Sequence, residues 1–488
     1  MNKLKKYEMP ILISISLLVL VALVSVSYAY FKAKISNIES ASTIAFTSGE
    51  MTINYENNSA ILTGTNIIPG WSTTKTFTLK GKNDSKATDT KPDNNMYYKI
   101  GIAVDKNTFT SGALKYLLTK AGSSSTNGKM QDATTGVIPQ SGTKYIGKGY
   151  FTTTSSYVNH IYKLTVSFPD TGVNQAVDNG KIFAAHIVID KSLSTETIAA
   201  TSITKATTYV ATMHEMSPSI DGLELDDTDD KNLRYVGNKP KNYIKFNNEL
   251  WRIIGVFNNI TTIDTNGKEI KESVVKIIRE ESLGEYSWDT SDESINSGFG
   301  INDWSQADLM NELNGDYLDT SKTGTTQWYN GYNNSKTASY DYSKNIKLTY
   351  QNMITNATWN IGGHLTASIS AKNMYSYERE TSTWNGKIAL MYSSDYGYAS
   401  TDLVCRNNLV NCYDYDTSTN WLYNSNSQWV LTPKTEYNET VLSVDSDGSI
   451  SNNYTASAKF DVRPVVYLKS SVQIISGSGE LSDPYNIN

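Results

Sequence analysis

The longest continuous apolar stretch lies at the start of the chain, Ile11 to Phe31, interrupted only by Ser14, Ser16, Ser25 and Ser27. As a helix it would be roughly 31 Å long, enough to cross a bilayer core. Lys3, Lys5 and Lys6 before it, against Lys32 and Lys34 after it, place the N-terminal side inside. Ser27-Tyr28-Ala29 also offers the small-x-small pattern of signal cleavage, between Ala29 and Tyr30. Residues 1–34 are therefore expected to be a transmembrane anchor or a signal segment. Both readings put the remainder at the cell surface or outside the cell, held to the membrane through residues 11–31 unless cleaved after Ala29.

Beyond this stretch the period of the pattern becomes two. Met51-Thr52-Ile53-Asn54-Tyr55, Thr76 to Lys80, Tyr98 to Val104, Tyr162 to Phe168 and Ile182 to Ile189 alternate apolar and polar positions between Gly, Pro, Asn and Asp turns. That is the pattern of an antiparallel sandwich with one wet face per sheet. A short helix is expected over Gly112 to Lys120. His160 and His186 fall within strands, as packed or edge histidines. Together with the apolar N-terminus, Tyr28-Ala29-Tyr30-Phe31 and Ile68-Pro69-Gly70 before a strand, this Thr/Ser-rich region resembles the camelysin/TasA-type exported proteins of Gram-positive bacteria. The resemblance implies a jelly-roll-like sandwich over 35–200, of a kind that builds biofilm fibres or decorates the envelope.

Residues 201–230 read as a polar linker ending in an acidic run, with six acids between Asp221 and Asp230. Without the spacing or closing Glu of a Ca²⁺ loop, the expectation is a solvated hinge. From residue 231 a hairpin is predicted, Tyr243 to Phe246 and Glu249 to Phe257 around Asn247-Asn248, followed by a strand over Val274 to Arg279. Asp303 and Gln306 begin a helix that carries Leu309, Leu313 and Tyr317 on one face. A second helix fits Leu348 to Asn356. Strands follow at Trp429 to Pro433, at Val441 to Val444 with Ser449 to Ser451, and at Val462 to Leu468.

Leu233-Arg234-Tyr235-Val236-Gly237, Leu250-Trp251-Arg252-Ile253-Ile254-Gly255-Val256, Asn302-Asp303-Trp304-Ser305-Gln306-Ala307, Ala357-Thr358-Trp359-Asn360, Ser394-Asp395-Tyr396-Gly397-Tyr398-Ala399 and Val462 to Leu468 occur in this order. They resemble an uncharacterised domain of exported Firmicutes proteins, with the C-type-lectin-like fold shared with formylglycine-generating enzymes. The resemblance implies, over 231–488, an α+β domain whose first and last strands pair and whose long loop region carries the variable chemistry. The fold class expected overall is mainly β with some α.

Composition narrows the chemistry. The 488 residues carry 43 Lys and Arg against 49 Asp and Glu, an acidic balance that argues against a nucleic-acid partner. Four His and two Cys leave little for a zinc site or a Cys/His catalytic apparatus. Cys405 and Cys412 lie in a polar, Asn-rich segment; in an exported chain they are expected to pair, closing a short loop worth roughly 2–3 kcal/mol. His364 is the one histidine of the last domain, in Gly362-Gly363-His364-Leu365, and reads as a loop residue. Asp445-Ser446-Asp447-Gly448 reads as a hairpin turn. Asp395 and Asp402 could contribute oxygens to a cation site, but no lectin signature accompanies them. No metal or cofactor is expected, and no enzymatic activity.

Eight of the nine Trp lie beyond residue 250. Trp328, Tyr329, Tyr332, Trp384, Tyr392, Tyr396, Tyr398, Trp421 and Tyr423 are interleaved there with Asn, Ser, Thr and Gly, the composition favoured by binding loops. All but Tyr392 are the candidate ligand-binding residues, for a surface glycan or protein. The functional expectation is a surface-attached binding or adhesion module. The alternative is a structural fibre or matrix subunit that self-assembles through the sandwich; a formylglycine-generating-type enzyme or a hydrolase ranks behind both.

Overall fold

The computed structural model describes residues 43–46, 49–55, 59–83, 95–121, 128–152, 154, 156–216, 222–264, 266–291, 298–413 and 419–488. The expected anchor at 11–31 and the cleavage position at Ala29 and Tyr30 lie outside these. Among the described residues no helix is long and apolar enough to cross a membrane. The protein is mainly β, its sheets almost wholly antiparallel, and it divides into two compact units between Ser202 and Ile203.

The first unit contains β1 (Thr43–Phe46), β2 (Gly49–Tyr55), β3 (Ile61–Ile67), β4 (Trp71–Asn83), β5 (Met96–Asn107) and β6 (Lys115–Lys120). It continues with β7 (Thr134–Val137), β8 (Gly142–Phe151), β9 (Val158–Phe168), β10 (Lys181–Lys191) and β11 (Thr201–Ser202). One sheet runs β1-β2-β4-β9-β6-β7-β11, the other β3-β10-β5-β8. The alternation seen along the chain is what buries one face of each: Phe77, Leu79, Tyr116, Leu118, Tyr162 and Leu164 from the first meet Tyr98, Ile100, Ile102, Phe151, Phe183 and Ile187 from the second in one core. His160 is sealed within it, Nδ1 2.6 Å from the Tyr98 hydroxyl. His186 instead pairs with Asp105 at 2.9 Å.

The helix expected over Gly112 to Lys120 is not formed. Lys115–Lys120 is β6, bonded to β9 on one side and β7 on the other. Left-handed Gly112 (φ 92°) turns the chain into this slot. Both backbone edges are then satisfied by ladders, and Tyr116 and Leu118 reach the core. A short apolar run does not distinguish helix from buried strand; the neighbouring strands decide.

The second unit has β12 (Leu223–Leu225), β13 (Leu233–Tyr235), β14 (Tyr243–Phe246), β15 (Glu249–Ile263), β16 (Glu269–Arg279), β17 (Glu285–Tyr286), β18 (Thr325–Tyr329) and β19 (Lys336–Asp341). Then come β20 (Ala357–Asn360), β21 (Thr383–Gly386), β22 (Ile388–Ala389), β23 (Gln428–Pro433), β24 (Thr440–Val444) and β25 (Ile450–Thr455). β26 (Phe460–Asp461), β27 (Val465–Tyr467), β28 (Ile474–Ser476) and β29 (Asn486–Ile487) complete it. Among the described residues its α-helices are α1 (Ala206–Met216), α2 (Asp308–Asn314), α3 (Leu348–Gln351), α4 (Ala371–Tyr377), α5 (Ser393–Ala399) and α6 (Leu403–Asn407). The main sheet runs β12-β13-β15-β16-β27-β22, and a second runs β17-β26-β23-β24-β25. Asn247 and Asn248, both left-handed at φ 58° and 62°, form the tight turn between β14 and β15 as their sequence implies.

Three expectations change here. Within 201–230, expected as a solvated linker, the described residues include packed ones: α1 buries Tyr209 and Val210, and Asp226 is enclosed. The last strand does not pair with β15. Both edges of β15 are occupied, by β16 and by β13 with β14, so β27 adds to β16 through Lys276↔Tyr467, Ile277↔Val466 and Ile278↔Val465. Pro464 lies just outside that ladder, as a residue without an N–H should, its carbonyl accepting from Arg279 N–H. Finally, α3 ends at Gln351, since Ile354 is drawn into a bridge with Leu468. The unit closes on itself at its ends: Ala206 N–H donates to Val472, Ile474 N–H to Thr204, and Lys205 bridges Gln473.

Candidate functional site

Of the eight aromatic residues expected to form a binding surface, five are buried and serve as packing. Trp328 is stacked on Tyr340 at 3.8 Å. Tyr396 is buried in α5, and Tyr398 donates its hydroxyl to Asp227. Trp421 donates Nε1–H to the Tyr235 carbonyl at 2.7 Å, and the Tyr423 hydroxyl donates to the Ser446 carbonyl at 2.6 Å. Tyr329 and Trp384 are half-buried, Lys336 Nζ lying 4.2 Å over the Tyr329 ring. Tyr332 alone of the eight is exposed. The physical reason is packing: a unit with long irregular stretches fills part of its core with rings, and where a polar tip reaches a partner, as in Tyr398, Trp421 and Tyr423, it is a carboxylate or a carbonyl.

The sulfurs of Cys405 and Cys412 are at bonding distance, with both residues buried beside α6. His364 lies over the Tyr377 ring at 4.2 Å, its Nδ1 3.0 Å from the Thr366 carbonyl oxygen. Asp445 and Gly448 close a turn, Gly448 N–H donating to Asp445. Among the described residues no group of three or more His, Cys, Asp or Glu side chains is placed to hold a metal ion.

The fold gathers charge elsewhere. Arg234 on β13 donates Nε–H to Asp226 and Nη1–H to Asp395, each at 2.8 Å. Lys276 on β16 donates to the other Asp395 oxygen, which also accepts Tyr392 N–H at 3.0 Å. All four charged side chains are at most 2% exposed. Rings surround them: Tyr392 4.2 Å, Phe257 4.8 Å and Tyr467 5.4 Å from Lys276 Nζ, with Phe257 and Tyr398 each 4.6 Å from the Arg234 guanidinium. Burial pushes the Lys276 ammonium down to about 8, an effect that Asp395 only partly offsets. Burial alone would raise the Asp395 carboxyl, but Lys276 and Arg234 hold it below the usual carboxylate range.

Asp226, counted in sequence as part of a hinge, accepts from Thr228 N–H and hydroxyl, Asn232 N–H and amide, and Arg234. These donors fill its oxygens, so it has none to offer a cation. Beside the cluster Glu378 accepts from Ser394 N–H and hydroxyl and from Thr432, and burial raises its carboxyl. Two cations against two anions, buried and bonded, act as a clamp joining β13, β16 and α5. The sequence signal was present in part: Arg234 and Lys276 are charged residues inside apolar or aromatic runs, whereas Asp395 follows two serines.

What reaches solvent is a different set of rings. Phe299 (39% exposed), Tyr332 (55%) and Tyr437 (47%) sit on separate loops. Phe299 and Tyr332 meet edge to face at 5.4 Å. Asn302 ties the Phe299 loop to the Tyr437 loop, its side-chain amide donating to the carbonyls of Lys434, Tyr437 and Thr440 at 2.7–2.8 Å. Asn334 N–H and Gly331 N–H anchor the Tyr332 loop on Thr290 and Ser287. Asn330, Asn333, Asn334 and Asn438 lie near these rings in sequence. This geometry stands by itself: no family model, no curated protein and no solved structure matches the chain.

Proposed function

We propose that this chain is an exported, surface-attached protein of a Gram-positive bacterium whose C-terminal unit is a binding module for surface glycans. On this reading the first unit is a jelly-roll-like stalk and the second a C-type-lectin-like head, as their resemblances imply. The observation that carries the proposal is the set Phe299, Tyr332 and Tyr437: exposed rings on loops bolted to one another, in Asn-rich stretches of the sequence. Rigid rings give contact area at low entropy cost, and amides adapt to hydroxyl groups, as in other loop-built binding surfaces. A binding rather than catalytic role is supported by the clamp, since the ionisable groups drawn together by the fold neutralise one another away from solvent. The Cys405–Cys412 pair and the apolar run at 11–31 support export.

The test is a glycan array probed with the full chain and with a Phe299→Ser, Tyr332→Ser, Tyr437→Ser variant of unchanged melting profile. Selective signal lost in the variant supports the reading. Equal signal from both, or binding only to surface proteins, overturns the glycan assignment.

A further inference from the structure

Glu312 occupies an unusual position beneath this face. It projects from α2 and is buried, yet it has no salt-bridge partner among the described residues. One oxygen, Oε1, accepts Tyr329 N–H at 2.9 Å. The other, Oε2, is enclosed with no hydrogen-bond partner, as is Oδ1 of Asn330 next along the hairpin. A buried ionised carboxylate with one bare oxygen is costly; the protonated acid suits the site far better. The charged groups facing it are few: Lys336 from β19, Asp308 from α2 itself and Asp316 just beyond its end, with the Tyr286 hydroxyl from β17 nearby. Lys336 is already engaged over the Tyr329 ring, and both aspartates oppose a further negative charge. β22, also packed on α2, brings Ile388 and Ala389 and so no charge.

The backbone it holds is the β18–β19 hairpin, whose end carries Tyr329, Gly331 and Tyr332. Three further bonds pin the same stretch: Ser287 N–H to the Tyr329 carbonyl, Gly331 N–H to the Ser287 hydroxyl and Asn334 N–H to the Thr290 carbonyl. Glu312 supplies the one anchor in this set that carries an ionisable group.

We propose that Glu312 is a protonation switch for the proposed binding face: with its carboxyl protonated it holds the β18–β19 hairpin and Tyr332 in register, and on losing the proton it leaves its enclosure and loosens them. The proposal rests on the binding reading for its consequence, though not for its mechanism. Ionisation drives the side chain toward water or toward Lys336; the first abandons the Tyr329 amide, the second strips the cation from the Tyr329 ring. Binding through this face therefore weakens on the alkaline side, where Glu312 carries charge.

The experiment is hydrogen exchange on the full chain, corrected for intrinsic rates, in wild type and Glu312→Gln from about pH 6 to about pH 9, a range far above ordinary carboxyl titration. Protection of the segment 325–341 is expected to fall about tenfold or more in wild type across this range and to stay level in the variant, because an amide keeps the Tyr329 bond and cannot ionise. Parallel profiles in the two proteins, or no fall in wild type, overturn the proposal. Should the variant not fold, carbon-13 titration of the Glu312 carboxyl in wild type decides: a midpoint in the neutral or alkaline range sustains the switch, and one near the ordinary value of about 4.3 ends it. If exchange follows Glu312 while the Phe299, Tyr332 and Tyr437 variant still binds glycans, the binding reading fails alone.

Discussion

Replacing Asp395 with Asn keeps the side chain's shape and removes its charge. In the native unit this carboxylate neutralises Arg234 through one oxygen and Lys276 through the other. After the change Arg234 retains Asp226, whereas Lys276 faces Phe257, Tyr392 and Tyr467 with no anion beside it. Breaking one buried pair by removing a single partner costs about 3–5 kcal/mol. Two pairs are touched here and one is lost outright, so the upper end, about 5 kcal/mol, is expected; against a typical domain stability of about 5–15 kcal/mol this removes a third or more.

Calorimetry of the full chain is the assay. The transition of the second unit should drop steeply and that of the first should stay, since Asp395 belongs wholly to the second. Adding Lys276→Met should recover a large part of the loss by removing the orphaned charge. The pH dependence has a defined sign. Asp395 is held below the usual carboxylate range, so its contribution is complete above about pH 4 and disappears as pH falls through the folded value. Asp395→Asn should flatten that acid limb. A loss below about 1 kcal/mol, or one shared equally by both transitions, would refute the clamp, since it would place Asp395 at the level of an exposed pair.

Burial lifts the Glu312 carboxyl from 4.5 to about 8, so the folded unit loses stability as pH rises through that window. Glu312→Gln should therefore gain about 3 kcal/mol at about pH 7 and little at about pH 4, measured by urea unfolding at both. Ending the chain at Asp461 removes β27 and uncovers β16 from Lys276 to Ile278, so the transition of the second unit should vanish while that of the first persists in a calorimetric scan. Tyr98→Phe takes a hydroxyl from between His160 and Tyr162 and should lower the first unit's stability by about 1–3 kcal/mol, read from its denaturation midpoint. Alkylation without reduction should leave Cys405 and Cys412 unlabelled by mass spectrometry; labelling of both would count against export.

The strands of the first unit were legible because their faces alternate in burial: Met96, Tyr98 and Ile100 alternate with the less buried Tyr97 and Lys99, and period two needs no other knowledge. Asn247-Asn248 was legible for a local reason too, as two residues that tolerate left-handed backbone. Lys115–Lys120 was not, because its state is set by β9 and β7, remote in sequence. The same holds for the pairing of β27, which depended on which edge of β15 was already taken. At the candidate site, composition identified a region rich in rings but could not say which way each ring points. Trp328 and Tyr332 lie four positions apart, one sealed and the other open to solvent. Lys276 and Asp395, separated by 119 positions, form a pair that no local pattern could reveal.

The meeting of the second unit's ends has a mechanical meaning. Thr204, Lys205 and Ala206 are bonded to Val472, Gln473 and Ile474, and Gln473 is in turn bonded to Asn488 in both directions. A load applied between Ile203 and Asn488 would act on these few bonds, which join residues next to both points. The β15–β16 ladder and the Asp395 clamp lie off that line. Under such a load these end-to-end bonds are expected to yield first, with the core of the second unit still intact.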